Sequence, residues 1–530
     1  MPGQLLRSML LALPFLASPV LILPAAAATC ADLSKISPPD ATIVSAAAEA
    51  GSFESPKDGL GNTTKVILPF CRVVGVAKSE SASSIGFELW LPPAEKWNGR
   101  MLASGDLGHS GAPIYPSLND ALTRGFAALG DDLGHQSNAF AMDWAVGHPE
   151  RVRDWGHRAA HFSAVAAKAI IAAYYGASPK FSYFTGCSHG GGSALAEAQR
   201  YPDDYDGIIA GAFGSDWTGV SAAYVFEAQA ALNDSASNLS APKLTLLNSA
   251  VIAACDAKDG VKDGILNDPR QCRFDPGVLQ CKAGDADDCL TAEQVTAVKK
   301  LYAGPRNGSG KQIFPGLEPG SEFLWGFLVK GPQPFLGADF FKDAVYDGKD
   351  FDWHKFNLDT NVATAEQKLA ADINNTNPDL GKFAARGGKL LLYSGWADAL
   401  IQPGNAINYY DSVVKAQPNA AEKFVRLYLA PGMGHCAGGP GPNAFGGTRY
   451  LNAGQPNPPV LDADHDLVSA AIAWVEQGHS PDVIVATKFT GDDAAKGIAM
   501  QRPLCPYPAV ATYSGHGDSN DAANFSCVKP

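Results

Sequence analysis

A short glycine-flanked motif holds the serine best suited to act as a nucleophile. The motif is Gly186-Cys187-Ser188-His189-Gly190, a G-x-S-x-G pattern between a predicted strand and a predicted helix. In that context the serine lies on a sharp strand-to-helix turn, where small flanking residues avoid clashes and the hydroxyl is exposed. The next backbone N–H, that of His189, then points to where an oxyanion develops. Because the pattern alone often occurs by chance, the prediction depends on the flanking strand and helix.

A nucleophilic serine needs a general base and a carboxylate that orients the base. In this architecture the chain order is Ser, then Asp or Glu, then His, each after a strand. Asp398 follows the apolar run 389–393, and His435 follows the run 424–429. We therefore predict Ser188, Asp398 and His435 as a catalytic triad. A packing or surface role is the better interpretation of three other histidines, which lie in a helix, at its end and in a polar turn: His465, His479 and His516.

The elements that must position these residues alternate along the chain. Short apolar runs predict strands, and apolar residues at helical spacing predict helices. Alternating strands and helices are typical of a mostly parallel sheet covered on both faces, so we predict an α/β fold with an α/β-hydrolase core. The predicted strands lie at residues 85–91, 100–104, 126–130, 181–185, 389–393 and 424–429, and the predicted helices at 158–175, from about 191, and at 467–475.

A long segment interrupts this alternation and predicts an inserted domain. Residues 217–388 contain four cysteines, an acidic turn and scattered aromatic residues. We predict a lid domain there, between a first core part at residues 29–216 and a second at residues 389–530. The full length of 530 residues is ample for one large domain with such an insertion.

The N-terminus predicts export. In residues 1–28 the cationic Arg7 precedes an apolar run, and small alanines follow it, as in a signal peptide. The alternative is a membrane anchor, but Pro14 and Pro19 interrupt the run, and no later stretch reaches the ~18 apolar residues that a span needs. We predict a secreted or periplasmic protein that is not embedded in a membrane. The net charge of −13 argues against binding to nucleic acid or to an anionic membrane surface.

Ten cysteines, with no Cys-x-x-Cys pair, favour disulfides over metal ligands in an oxidising compartment. Pairing of local neighbours leaves Cys187, beside the predicted nucleophile, and Cys436, beside the predicted base. If Ser188 and His435 are within hydrogen-bond reach, their neighbours can meet the Cα separation of a disulfide, ~5 to 6 Å. The alternative is two free buried thiols. The local pairs are Cys30–Cys71, Cys255–Cys272, Cys281–Cys289 and Cys505–Cys527.

An acidic loop in the predicted lid has the composition of a calcium site. Asp256, Asp259 and Asp263 lie close together with two glycines, and Ca²⁺ prefers ~6 to 8 oxygen ligands from a tightly turned loop. A solvated acidic turn explains this spacing equally well.

At this point the chain resembles the tannase and feruloyl esterase family, which includes enzymes like mono(2-hydroxyethyl) terephthalate hydrolase. The resemblance covers nearly the whole chain after the signal and rests on joint matches. These are Cys187-Ser188, Asp398, His435-Cys436, Trp97-Asn98-Gly99-Arg100, Gly134-His135, His148-Pro149-Glu150 and Arg158-Ala159.

The resemblance implies further site residues. The oxyanion hole would combine the N–H groups of His189 and Gly108, although the loop Gly105-Asp106-Leu107-Gly108-His109 departs from the commoner Gly-Asn-Gly-Gly form. His189 replaces the Thr or Glu often found there, which puts substrate preference in doubt. A structural calcium ion would be held in the lid. Its ligands would be the carboxylates of Asp256, Asp259 and Asp263 and the carbonyls of Val261 and Ile265.

The resemblance also implies small aromatic esters as substrates, cleaved through an acyl-enzyme. Hydroxycinnamic and hydroxybenzoic esters are favoured over a terephthalate monoester, because no lid arginine is clearly placed over Ser188 to bind a free carboxylate. The segment Ala399-Leu400-Ile401 also lacks the aromatic residue of the terephthalate branch. Lid aromatics such as Trp325 and Phe327 suit either ring stacking or the lid core. The rival functions are a serine peptidase and a non-catalytic, calcium-stabilised sugar-binding protein.

Overall fold

A nine-stranded sheet forms the centre of the protein. The structure, a computed structural model, describes residues 1, 28–329, 331–449 and 456–529. The predicted signal peptide lies outside the described residues except at its two ends. The strands are β1 Ala41–Ala50, β2 Phe53–Glu54, β3 Lys65–Val66, β4 Pro69–Ala77, β5 Ile85–Leu91, β6 Arg100–Ser104, β7 Ala127–Asp131, β8 Phe181–Cys187, β9 Gly207–Gly211, β10 Lys389–Gly395, β11 Val425–Ala430, β12 Ile484–Phe489, β13 Ile498–Leu504, β14 Val510–Tyr513 and β15 Phe525–Val528.

The order of strands in the sheet is β1-β4-β5-β7-β6-β8-β9-β10-β11. The first pairings, from β1 to β7, are antiparallel, and the pairings from β7 through β11 are parallel. The parallel strands are apolar and buried along their length, as expected when helices cover both faces of a sheet. This arrangement confirms the predicted α/β-hydrolase core with its mostly parallel sheet.

The register of the parallel strands brings the carboxyl ends of β8, β10 and β11 to one edge. Cys187 at the end of β8 pairs with Gly211 of β9, and Gly395 of β10 pairs with Ala430 of β11. In open sheets of this kind ligands bind outside the carboxyl ends of the strands. The loops that hold Ser188, Asp398 and His435 all leave from this edge.

Helices pack on the sheet and fill the inserted segment. The predicted helix at 158–175 is α3; it follows a π-helical turn at Asp154–Arg158 and ends at Gly176, whose φ of 73° allows a left-handed cap. The helices are α1 Tyr115–Thr123, α2 Pro149–Arg153, α3 Ala159–Tyr175, α4 His189–Arg200, α5 Trp217–Leu232, α6 Ala241–Cys255, α7 Ala292–Ala303, α8 Gly326–Val329, α9 Gly337–Asp339, α10 Thr360–Ile373, α11 Gly381–Ala385, α12 Pro403–Ala416 and α13 Leu467–Gln477. None of the described helices is long and apolar enough to pass through a membrane.

The segment between β9 and β10 consists of helices α5 to α11 and their connecting turns, and it contains the predicted lid at residues 217–388. Side chains define its helix ends: Asp216 accepts a bond from the Gly219 N–H before α5, and Thr291 and Gln294 form a capping box on α7. Trp325 is fully buried within this segment and packs edge-on against Tyr302, so it is a core residue of the segment. The exact domain boundaries stay a prediction.

All five predicted disulfides are present, and no free cysteine occurs among the described residues. Cys30–Cys71 attaches the N-terminal segment to β4, and Cys505–Cys527 joins the two C-terminal hairpins. Two pairs lie within the predicted lid, and Cys187–Cys436 connects the end of β8 to the loop after β11. The disulfide prediction is therefore confirmed pair by pair.

Candidate active site

Ser188 lies on the sharp turn between β8 and α4. Its φ of 62° and ψ of −124° are unusual for a residue with a side chain and indicate a constrained turn. The flanking glycines are sterically required, because a Cβ on Gly186 would lie 2.0 Å from the Gly190 carbonyl oxygen, and one on Gly190 would lie 2.7 Å from that of Asp106. The helix begins at His189, two residues earlier than predicted, so it follows Ser188 directly.

Asp398 and His435 meet at the ends of β10 and β11. His435 Nδ1 is 2.8 Å from Asp398 Oδ2, and the Asp398 side chain is fully buried. The other carboxylate oxygen accepts bonds from the N–H groups of Leu400, at 2.8 Å, and Ile401, at 3.0 Å. Because both of its carboxylate oxygens are hydrogen-bonded, Asp398 can hold the imidazole of His435 in one orientation and one tautomer.

A backbone hydrogen bond joins the loop that holds Asp398 to the loop that holds His435. The N–H of Ala397 donates to the Met433 carbonyl over 2.9 Å, and a Cβ on Gly395 would clash with that carbonyl at 2.2 Å. The Cys187–Cys436 disulfide then joins the nucleophile turn to the loop of the base, with Cα atoms 6.0 Å apart. The predicted disulfide between these two cysteines is confirmed.

A cavity of about 440 Å³ opens onto Ser188 and His435. Apart from these two side chains, the lining of the cavity is apolar. Its residues include members of the N-terminal loops, of the loop that contains Gly108, and of the predicted lid. Of the two lid aromatics considered from sequence, Phe327 lines the cavity and Trp325 does not. The remaining lining residues are Leu60, Leu107, Gly108, Ala139, Phe140, Phe335, Leu336, Leu400, Ala437 and Gly438.

The sequence reasoning missed most of this lining. Leu60 and Phe140 come from loops far from the motif, and both are 40% or more exposed. Leu336 has a φ of 53°, rare for a branched residue, and Phe335 beside it packs edge-on against Phe140, with ring centroids 6.0 Å apart. No local sequence pattern marks these positions, because they share neither spacing nor element type.

Lid arginines bind groups away from this cavity. Arg270 pairs with Asp268 and lies over Trp396, and Arg386 pairs with Asp206. Among the described lining residues of the cavity there is no lysine or arginine.

The loop of the predicted oxyanion donor is attached to the nucleophile turn. The Asp106 carbonyl accepts a bond from the Gly190 N–H over 2.8 Å, and its carboxylate accepts one from the Leu107 N–H over 2.7 Å. Gly108 follows with a φ of 54° and lines the cavity. Within the described residues, the N–H groups of Gly108 and His189 donate to no other protein group.

The His189 side chain turns away from the reacting atoms and is buried. Its ring stacks on Trp155 at 4.5 Å, and Trp217 lies 5.6 Å away. Burial lowers the pKa of His189 to about 3, so the ring is neutral at ordinary pH. His189 is therefore a packing residue that presents its backbone to the site.

The acidic loop of the lid is held by its own carboxylates. Asp256 accepts bonds from the Gly264 N–H, Asp259 from the Val261 N–H, and Asp263 pairs with Arg502 at 2.5 Å. In the described part of the chain no three His, Cys, Asp or Glu side chains are arranged as a ready metal-binding group. Coordination by Asp263 would require its carboxylate to leave Arg502.

Comparisons of the sequence and of the structure with known proteins all find similarity to esterases and related ester hydrolases. The sequence model of the tannase and feruloyl esterase family matches residues 71–528. An esterase of Xanthomonas campestris is 41% identical, over 95% of this chain and 92% of its own length. The mono(2-hydroxyethyl) terephthalate hydrolase of Piscinibacter sakaiensis is 32% identical, over 87% of this chain and 85% of its own. The crystal structure of feruloyl esterase B from Aspergillus oryzae superimposes with a TM-score of 0.86 at 28% identity, covering 94% of this chain and 99% of that one.

Proposed function

The chain belongs to the tannase and feruloyl esterase family and is a carboxylic ester hydrolase of that type, and we propose that it cleaves esters of aromatic acids through Ser188, His435 and Asp398. The observation that carries the triad is the 2.8 Å contact between His435 and Asp398 beside a cavity that Ser188 and His435 share.

The proposed reaction begins with attack of the Ser188 hydroxyl on the ester carbonyl. His435 Nε2 takes the hydroxyl proton, while its Nδ1–H donates to Asp398, which stabilises the imidazolium. The protonated His435 then gives the proton to the leaving alcohol, and an acyl-enzyme remains on Ser188. Water attacks the acyl-enzyme with the same assistance and releases the acid.

The oxyanion of each tetrahedral intermediate would accept bonds from the N–H groups of His189 and Gly108. Support comes from their unused donors in the described structure and from the position of His189 at the N-terminus of α4, whose dipole favours negative charge. The bond from the Gly190 N–H to the Asp106 carbonyl links the two loops that carry these donors.

We propose that the acyl group of the substrate carries an uncharged aromatic ring. The lining of aromatic and aliphatic side chains suits stacking and burial of such a ring, of which Phe140, Phe327 and Phe335 are the aromatic members. The competing proposal, a terephthalate monoester, is favoured by the identity with the Piscinibacter enzyme. It is opposed by the lack of a lysine or arginine among the described lining residues, because burying a carboxylate without a partner is costly.

The test is release of acid from methyl ferulate, methyl gallate and mono(2-hydroxyethyl) terephthalate by the wild type, Ser188→Ala and the control Ser412→Ala. Ser412 lies on α12, away from the cavity. We expect the wild type and the control to act on methyl ferulate in preference to the terephthalate ester, and Ser188→Ala to lose at least ~10⁴-fold in kcat. Wild-type activity that persists in Ser188→Ala would exclude the triad.

The proposed location is the periplasm or the outside of the cell. Five disulfides in the described chain suit an oxidising compartment. Cell fractionation, with N-terminal sequencing of the purified protein, tests the proposal together with the predicted cleavage near Ala28. Recovery of an uncleaved, reduced protein from the cytosol would contradict it.

We also propose that the acidic loop of Asp256, Asp259 and Asp263 binds a structural calcium ion. The support is the density of carboxylates in a loop closed by Cys255–Cys272, with Arg502 as the only cation paired to them in the described structure. The ion would stabilise the lid and take no part in ester cleavage.

A further inference from the structure

The first helix of the predicted lid, α5, contacts the loop that follows Asp398. Tyr224 of α5 donates its hydroxyl proton to the Leu400 carbonyl over 2.9 Å. Glu227, three positions further along the helix, accepts a hydrogen bond from the side-chain amide of Gln402 over 2.8 Å. Residues three positions apart lie on the same face of a helix. One face of α5 therefore holds this loop at two points.

The side chains that make these two contacts are buried: Tyr224, Glu227 and Gln402. Burial raises the pKa of Tyr224 well above its usual range, and the nearby carboxyl groups of Glu227 and Asp398 raise it further. The hydroxyl of Tyr224 therefore keeps its proton at ordinary pH and acts as a donor to the loop.

The Leu400 carbonyl and the Ile401 N–H belong to one peptide group. The Ile401 N–H donates to Asp398 Oδ1 over 3.0 Å, and Asp398 Oδ2 lies 2.8 Å from His435 Nδ1. Because a trans peptide group is planar, a donor that fixes the direction of its carbonyl also fixes the direction of its N–H. A hydrogen bond to the carbonyl also polarises the group and strengthens the bond that its N–H donates. A single peptide group thus separates the Tyr224 hydroxyl from the Asp398 carboxylate.

The ring of Tyr224 makes a different contact from its hydroxyl. It packs edge-on against Phe335, with ring centroids 5.6 Å apart, and Phe335 lines the cavity beside Ser188 together with Leu400. A phenylalanine at position 224 keeps the ring and removes only the hydroxyl. Support of the cavity wall and support of the Asp398 loop can therefore be separated by one substitution.

We propose that Tyr224 is a positioning residue for Asp398. Its hydroxyl holds the peptide group after Leu400 in the direction in which that group binds Asp398, and Asp398 in turn orients the imidazole of His435. Glu227 holds the end of the same loop. Through these contacts a helix of the predicted lid adds to the sheet in setting the geometry of the acid and the base. This inference rests on the proposed triad and esterase function.

The test measures kcat and KM for methyl ferulate, together with Tm, in Tyr224→Phe, Asp398→Asn and the double variant that combines them. The matched control is Tyr175→Phe. Tyr175 lies at the end of α3, outside the cavity lining, and also donates its hydroxyl proton to a backbone carbonyl, that of Pro92, over 2.6 Å. The control therefore reports what the loss of such a bond does to the fold alone.

We expect kcat to fall about tenfold in Tyr224→Phe with KM unchanged, as for the loss of one hydrogen bond, and both constants to stay at the wild-type value in Tyr175→Phe. In the Asp398→Asn background, Tyr224→Phe should lower kcat further by only about twofold or less, because two residues that act through one contact are not additive.

An unchanged kcat in Tyr224→Phe, or a loss confined to KM, would overturn the inference. An equal loss of kcat in both tyrosine variants, or an equal effect of Tyr224→Phe in the wild-type and Asp398→Asn backgrounds, would do the same, because either result indicates a general effect on the fold. A wild-type protein without ester activity, or a fully active Asp398→Asn variant, would instead contradict the proposed function.

Discussion

Cys187 and Cys436 are 249 residues apart in sequence, yet their Cα atoms lie 6.0 Å apart in a disulfide. Each is the direct neighbour of a proposed catalytic residue, Ser188 or His435. The bridge therefore adds a covalent restraint on the distance between the Ser188 turn and the His435 loop to the restraint that the sheet provides. Preorganisation of this kind determines how well reacting groups are aligned.

Removal of this bridge should lower both stability and turnover. In the chain-entropy view, a bridge that closes 249 residues restrains the unfolded chain by about 5.5 kcal/mol, against about 2.5 kcal/mol for the eight-residue separation of Cys281–Cys289. We expect the double variant Cys187→Ala/Cys436→Ala to lose more in Tm than Cys281→Ala/Cys289→Ala, and to lose kcat in addition. Equal Tm losses with unchanged kcat would argue against a positioning role. Thermal melts measure the losses in Tm, and ester kinetics measure the loss in kcat.

Asp398→Asn should retain the fold and lose turnover. The amide replaces an oxygen that accepts from His435, so the imidazole is no longer held in the productive tautomer. We expect kcat to fall by about 10³- to 10⁴-fold with little change in KM. The matched control, Asp350→Asn at an exposed position, should retain wild-type kinetics. A loss of less than tenfold in Asp398→Asn would show that another carboxylate orients His435.

His189 should make the protein less stable in acid. Because burial lowers its folded pKa to about 3 from 6.5, the unfolded state binds more protons below pH 6.5. The contribution of the neutral, buried His189 ring to the free energy of unfolding is complete above pH 6.5 and is lost as the pH falls towards 3. His189→Phe keeps a ring against Trp155 and removes the titration, so relative to the wild type it should gain up to about 2.7 kcal/mol between pH 6.5 and 4.5.

Denaturant unfolding at several pH values measures this difference. The control His516→Phe replaces an exposed ring, and its stability should run parallel to the wild type across the same range. A His189→Phe profile parallel to the wild type would mean that the ring is not kept neutral by burial.

A positive charge in the cavity beside Ser188 should shift the substrate preference towards the terephthalate monoester. Phe327 lines the cavity and is 62% exposed, so Phe327→Arg places a guanidinium there at low cost to folding. We expect the ratio of kcat/KM for mono(2-hydroxyethyl) terephthalate to that for methyl ferulate to rise about tenfold, as for one charge-assisted hydrogen bond. Phe323→Arg, exposed in the lid and outside the cavity lining, is the control. The same rise in both variants would indicate a general charge effect.

Calcium removal should destabilise the lid. An ion bound only by the folded state raises stability by mass action, so dialysis against a chelator should lower Tm and added Ca²⁺ should restore it. Asp259→Asn should show a smaller response than the lid control Asp287→Asn. A Tm that is independent of chelator and of Ca²⁺ would rule out the proposed site.

The sequence by itself determined the features that depend on short spacing or on order along the chain. The glycines around Ser188, the apolar runs before Asp398 and His435, and the local cysteine pairs all express constraints between near neighbours. Strand predictions at residues 126–130 and 424–429 differ from β7 and β11 by one residue, and the helix after Ser188 begins two residues early because the turn is tighter than the pattern indicates.

Only the tertiary structure decided what surrounds these residues. Trp325 and Phe327 are two positions apart in one aromatic stretch, yet Trp325 packs in the lid core and Phe327 lines the cavity. Leu60 and Phe140 come from separate loops, and no sequence periodicity indicates that the two loops meet. The physical reason is that a cavity wall is a surface shared by distant segments, and its composition depends on which faces the packed sheet and lid bring together.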